Sequence, residues 1–151
     1  MSETPLRSGS ATGILIRTAA GATAGAIHIN ARGAMVQKWM ASVDSYGERS
    51  LVWIDGEVTH AIRKSPRFSG GSESVSAEVP IADDERAFAT RALAPFAAEL
   101  LYARVDMVRD ADAGTLRIME LELVEPSLFF LQAPRALERF AAAVARRAQK
   151  K

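Results

Sequence analysis

The chain has 151 residues, 48% of them hydrophobic and 25% charged, which fits one soluble domain able to build its own core. With 19 Lys and Arg against 18 Asp and Glu, the formal charge of +1 gives no basic footprint for nucleic acid. Cysteine is absent, which excludes disulfides, thiolate catalysis and Cys-ligated zinc, and no run approaches the roughly 20 apolar residues of a membrane span.

Residues 1–10 are Ser/Thr/Pro-rich and read as a disordered N-terminus, with a single domain over 11–151. The Ala/Gly-rich stretch from Gly13 to Ile29 is interrupted by Arg17 and preceded by Glu3, unlike a secretory leader, so a cytoplasmic protein is expected. Gly13 to Arg17 predicts a short edge strand, 19–32 a small-residue helix ending near Gly33, and Ala34 to Met40 a mostly buried strand. Arg49 to Ile54 and Glu57 to Arg63 flank Asp55-Gly56, a dipeptide that favours the positive φ values of a type I′ hairpin. Residues 65–74 predict a flexible loop.

Asp83-Asp84-Glu85 supplies a cap and an acidic first turn for a helix to about Ala94, stopped by Pro95. A second hairpin joins Leu100–Arg109 to Thr115–Leu123 across Asp110–Gly114. Pro134 opens a last helix with Leu137, Phe140, Ala141, Val144 and Ala148 on one stripe. Its basic end, Arg146-Arg147 to Lys150-Lys151, reads as a solvated terminus complementing the helix dipole. The class that results is α+β, a mainly antiparallel sheet with helices packed on one side.

The second hairpin carries the chemistry. With its turn centred on 112–114, Asp106 faces Glu120, Arg104 faces Glu122, Val105 faces Leu121 and Met107 faces Met119. One face is then Ala103, Val105, Met107, Met119, Leu121 and Leu123; the other is Arg104, Asp106, Glu120 and Glu122. Asp106 opposite Glu120 is a like-charge pair that costs free energy, and neutralising either should leave stability unchanged or raise it. Three carboxylates on rigid strands suit Mg²⁺, a hard cation bound by carboxylates and substrate phosphates. A solvated charged hairpin face explains the spacing equally well. His60 reads as structural or exposed, Trp53 and Trp39 as core, and Ser69-Gly70-Gly71-Ser72 lacks the Lys and helix of a P-loop.

These segments resemble a known family. Ala103-Arg104-Val105-Asp106-Met107-Val108-Arg109, followed by Met119-Glu120-Leu121-Glu122-Leu123-Val124-Glu125-Pro126-Ser127, is similar to the metal-binding end of ATP-grasp ligases of the glutathione synthetase-like group. Met35 to Met40 resembles that family's adenine hinge strand, and Gly47 to Lys64 its acidic-residue strand and following hairpin. The resemblance covers roughly residues 30–147 and implies an ATP-grasp C-terminal subdomain.

Carried over by residue, it implies Asp106, Glu120 and Glu122 as ligands of one or two Mg²⁺ ions. Gln37, Lys38, Trp39 and Met40 would line the adenine pocket, with Met119 closing it. Glu48 would take the ribose hydroxyls, although an ion pair with Arg63 explains it as well. Arg63 or Lys64 would face the phosphates, with Arg104 beside the metal ligands. Such enzymes phosphorylate a carboxylate with ATP and let an amine or thiol displace phosphate. The family's two ATP-gripping lysines precede the hinge, but no Lys precedes Gln37 here, and Ser50 stands where some relatives carry Arg. The chain therefore looks like the C-terminal lobe alone. Two functions follow: the ATP- and Mg²⁺-dependent lobe of a ligase, or a non-catalytic truncated module acting through a partner chain or self-association. An apolar wall near Trp39, Met40 and Met119 would be left exposed for that association.

Overall fold

The computed structural model describes residues 40–65, 74–110 and 113–149. The expected elements at 13–17, 19–32 and 34–39, the terminus 1–10 and loop positions 66–73 lie outside them, as do Gln37, Lys38 and Trp39.

Met40 has the extended backbone expected of a strand end, but it opens a short helix that the residue pattern does not announce, α1 (Ala41–Ser45). Gly47 ends α1 at φ +94°, its N–H donating to the carbonyls of Val43 at 2.9 Å and Ser42 at 3.2 Å. The chain then enters β1 (Glu48–Ile54) and returns as β2 (Glu57–Ser65). Between them Asp55 and Gly56 both take positive φ, 48° and 90°, as the Asp-Gly turn requires. A two-residue β3 (Ser74–Val75), α2 (Asp83–Leu93), β4 (Tyr102–Arg109), β5 (Leu116–Glu122) and α3 (Pro134–Ala148) complete the order.

The five strands form one antiparallel sheet in the order β3-β2-β1-β4-β5. The two hairpins thus lie edge to edge, joined along β1 and β4. Successive residues of β1 point to opposite faces, and almost all are buried. Leu51 and Trp53 enter a core with Ala103, Val105, Met107 and the α2 residues Ala89 and Leu93. Val52 and Ile54 meet Ala133, Ala136 and Phe140 on the reverse face. The α+β class stands, but the helices are divided between the faces, α2 on one and α3 on the other. Alternating burial along one sequence of apolar residues does not show that both faces are covered.

Two β-bulges change the expected register. In β4–β5 the pairing runs Arg104–Glu122, Val105–Leu121 and Asp106–Glu120 as expected, then slips so that Met107 faces Ile118. Met119 is the extra residue. It joins Met40, Val43 and Val108 on the carboxylate face instead of lying beneath Met107. In β1–β2 the slip falls at Thr59, so Glu48 faces Lys64 and not Arg63.

Helix α2 begins at Asp83, and the capping falls to Glu85, whose Oε2 accepts the Ala82 N–H at 3.1 Å. Glu85 also receives both Nε and Nη2 of Arg49, at 3.1 and 2.8 Å, a buried bidentate tie from helix to sheet. Helix α3 is rotated from its expected stripe. Ala136 and Ala143 are buried, while Leu137 and Val144 are exposed. Small alanines allow close approach, and the arginines fix the rotation. Arg139 donates to the carbonyls of Ile54 and Asp55, Arg146 pairs with Asp55, and Arg147 donates to the carbonyls of Glu99 and Leu100. The basic end of α3 is therefore a docking device as well as a dipole complement.

Candidate functional site

On the face carrying α1 and α3, strand alternation and the two bulges gather six charged side chains. Glu48 comes from β1, Lys64 from β2, Arg104 and Asp106 from β4, and Glu120 and Glu122 from β5. Asp106 is at the centre and fully buried. Its Oδ2 receives Lys64 Nζ at 2.6 Å and Arg104 Nη2 at 3.0 Å, and its Oδ1 receives Arg104 Nε at 2.9 Å. Lys64 Nζ also lies 3.3 Å from Glu48 Oε2. Arg104 Nη2 reaches further, to Glu122 Oε1 at 2.8 Å and Glu120 Oε2 at 3.3 Å.

The electrostatics follow from this arrangement. Burial alone would raise the Asp106 pKa, but hydrogen bonds from Arg104 and the charge and hydrogen bond of Lys64 outweigh it, leaving the carboxyl below its ordinary value. Lys64 is held above its ordinary value, because Asp106 and Glu48 together overcome its burial. Glu120 moves the other way: burial and then the charges of Glu122 and Asp106 push its pKa up, against Arg104 and Lys64.

The shell around the cluster is specific. Ser50, the cross-strand neighbour of Asp106, is fully buried with no hydrogen-bond partner for its hydroxyl among the described residues. The Phe129 ring lies over the Arg104 guanidinium, 5.7 Å from its centroid, with Phe129 at a φ of 49° that bulky residues rarely adopt. Its carbonyl accepts the Gln132 and Ala133 N–H groups, which locks the reversal. The preceding carbonyl, Leu128, accepts Nε2–H of His60 at 2.9 Å, with Nδ1 2.8 Å from the Thr59 hydroxyl. Burial lowers the His60 pKa despite the Leu128 carbonyl and Glu78, and the ring serves as a structural tie at the Thr59 bulge.

The other residues singled out from sequence are placed as follows. Arg63 alternates to the α2 face and stacks on Tyr46, 5.2 Å from the ring, so of the pair Arg63 and Lys64 only Lys64 joins the carboxylates. Met40 and Met119 share one apolar cluster, but Met40 is buried rather than exposed. Ser50, which stands where some relatives carry Arg, adjoins the site, as does Phe129, which pattern reading did not pick out; nothing in sequence signals a positive φ at Phe129.

The donor chemistry of Asp106, Glu120 and Glu122 suits a hard cation. As they stand, no three such side chains among the described residues form a metal cage, because Arg104 lies between them.

No family model matches the chain. It is 36% identical over 128 residues to the cycloserine biosynthesis protein DcsG of Streptomyces lavendulae, spanning 75% of this chain and 42% of that relative. The crystal structure of D-cycloserine synthetase DcsG superposes with a TM-score of 0.65 at 36% identity, over 74% of this chain and 41% of that one. The ATP-grasp ligase PsnB, solved with a minimal precursor, is 22% identical over 64% of this chain and 35% of its own, at a TM-score of 0.46. With its sheet, its order of motifs and its 36% identity to DcsG, the chain belongs to the ATP-grasp family. It spans less than half the length of the DcsG it matches.

Proposed function

We propose that the chain is the nucleotide-binding lobe of an ATP- and Mg²⁺-dependent ligase of the glutathione synthetase-like kind, acting in the cytoplasm. The observation that carries this reading is the convergence of Asp106, Glu120, Glu122, Lys64 and Arg104 on one sheet face. In the reaction, a substrate carboxylate oxygen attacks the γ-phosphorus of ATP, the bond to the β-phosphate oxygen breaks, and ADP leaves. An amine or thiol then attacks the acyl carbon of the acyl phosphate, losing its proton as inorganic phosphate departs.

Asp106, Glu120 and Glu122 would hold the metal, whose charge would offset that of the transferring phosphoryl group. Lys64, fixed on Asp106, presents its ammonium to the phosphates, and Arg104 adds a second cation beside them. Glu48 would take the ribose hydroxyls, and Met119, packed on the buried Met40, would offer an apolar wall for adenine. Titrating ATP into the chain by calorimetry with Mg²⁺ and with EDTA tests the assignment. Binding is expected only with the metal, and equal heats in EDTA would overturn it.

A second reading has the same fold acting by contact, without turnover. It is favoured by Val124 and Leu131, apolar side chains 73% and 93% exposed a few residues past Glu122 and Phe129.

A further inference from the structure

One nitrogen, Arg104 Nη2, stands within 3.3 Å of all three carboxylates assigned to the metal. We infer that Arg104 is the internal counter-ion of the metal-free site, and that metal uptake and release of Arg104 from Glu120 and Glu122 are a single exchange. The inference rests on the ligand assignment just proposed and concerns what occupies that place beforehand.

Three observations support it. First, a guanidinium usually satisfies one carboxylate through a two-point fork, as Arg49 does with Glu85 on the other face. Arg104 makes that fork with Asp106 and spends the same Nη2 on two further carboxylates as well. Second, the charge is incomplete. Lys64 and Arg104 face Asp106, Glu48, Glu120 and Glu122, a deficit that one divalent cation would cancel. The half-exposed side chain of Glu120 is the easiest of the three to detach. Third, the buried Ser50 hydroxyl beside Asp106 has no partner among the described residues, so a polar group next to the cluster is left unused.

Phe129 gives the exchange a fixed starting point. Its ring rests on the guanidinium face, held by a backbone reversal tied to His60 through Leu128. Arg104 is thereby kept turned along the sheet toward β5.

The test uses the full chain and Mg²⁺ alone. In the ¹⁵N-labelled protein, the Nε–H of Arg104 should give a slowly exchanging resonance, as should that of Arg49. Mg²⁺ should shift the Arg104 signal and speed its exchange while leaving Arg49 unchanged. By calorimetry, Arg104→Gln should bind Mg²⁺ about tenfold more tightly than the wild type, since a competitor has been removed. Lys64→Gln, which removes an equal charge that touches Asp106 but neither Glu120 nor Glu122, should gain at least about threefold less than Arg104→Gln. An Arg104 signal unmoved at saturating Mg²⁺ overturns the exchange but leaves the metal site standing. Equal gains in the two variants do the same, showing only a general charge effect. Absence of Mg²⁺ binding in wild type and Arg104→Gln alike removes the metal assignment and the exchange together.

Discussion

Asp106 and Glu120 face each other across β4 and β5, yet they answer differently to neutralisation. Asp106 is enclosed and holds Lys64 and Arg104, so Asp106→Asn leaves two largely buried cations short of a partner. Removing one member of a buried pair typically costs about 3–5 kcal/mol, and urea denaturation of the metal-free variant should show a loss of that order. The like-charge argument, which gave no loss at either position, fails at Asp106 because the cations outweigh Glu120. It applies to Glu120, half exposed and crowded by Glu122, where Glu120→Gln should leave the midpoint unchanged or slightly higher. The pH dependence separates them too. Asp106, depressed in the folded state, contributes stability present above its ordinary value and lost as pH falls through its folded pKa. Glu120, raised in the folded state, costs stability as pH rises from its ordinary value through the raised one. Melting curves across the acid range should therefore lose their steep acid limb in Asp106→Asn and the shallower decline above it in Glu120→Gln.

At the level of elements, the turns are under different constraints although two of them use glycine at nearly the same φ. A Cβ on Gly56, at φ 90°, would meet nothing within 4 Å. On Gly47, at φ 94°, it would fall 2.1 Å from the Lys64 carbonyl oxygen. Gly56→Ala should cost about 1–2 kcal/mol, the ordinary price of a left-handed backbone. Gly47→Ala must also push β2 away at the residue that reaches Asp106, so thermal melting should show it as clearly the more damaging of the two. If both lose the same amount, β2 can move aside freely. The two strongest hairpins were legible, since Asp55-Gly56 states its turn and the polar and apolar residues of β4 and β5 sort cleanly. The bulges were not. An extra residue at Thr59 or Met119 leaves the local alternation plausible in either register, and only pairing with β1 and β4 decides it. Lys64 for Arg63 and the reassigned face of Met119 both trace to that one-residue ambiguity. The rotation of α3 was hidden for another reason: its docking depends on backbone carbonyls of the β1–β2 turn and the β4 approach, which no periodicity records.

For the molecule as a whole, the ATP-grasp class was legible because its carboxylates come from one hairpin, close in sequence. The second half of the cluster, Lys64 and Glu48, was harder to place because it arrives across the sheet. With Val124 and Leu131 exposed, and with its match covering 42% of DcsG, the chain alone should self-associate or bind a partner and release little ADP. Light scattering and a coupled ADP assay address these together. A strict monomer turning over at the roughly 1–100 s⁻¹ of phosphoryl-transfer enzymes would mean that these residues suffice for activity.

The junction between the hairpins also sets an order of events in time. Each hairpin closes over a short connection, so its internal pairing is local and fast to form. Lys64 and Asp106 are 42 positions apart and meet only when β1 docks on β4. The ion pair should then be a late gain, absent while the chain crosses its folding barrier. Lys64→Met should steepen the rate of unfolding in stopped-flow experiments and leave the refolding rate nearly as it was. Refolding slowed as much as unfolding is quickened would place the closing of the sheet before the barrier.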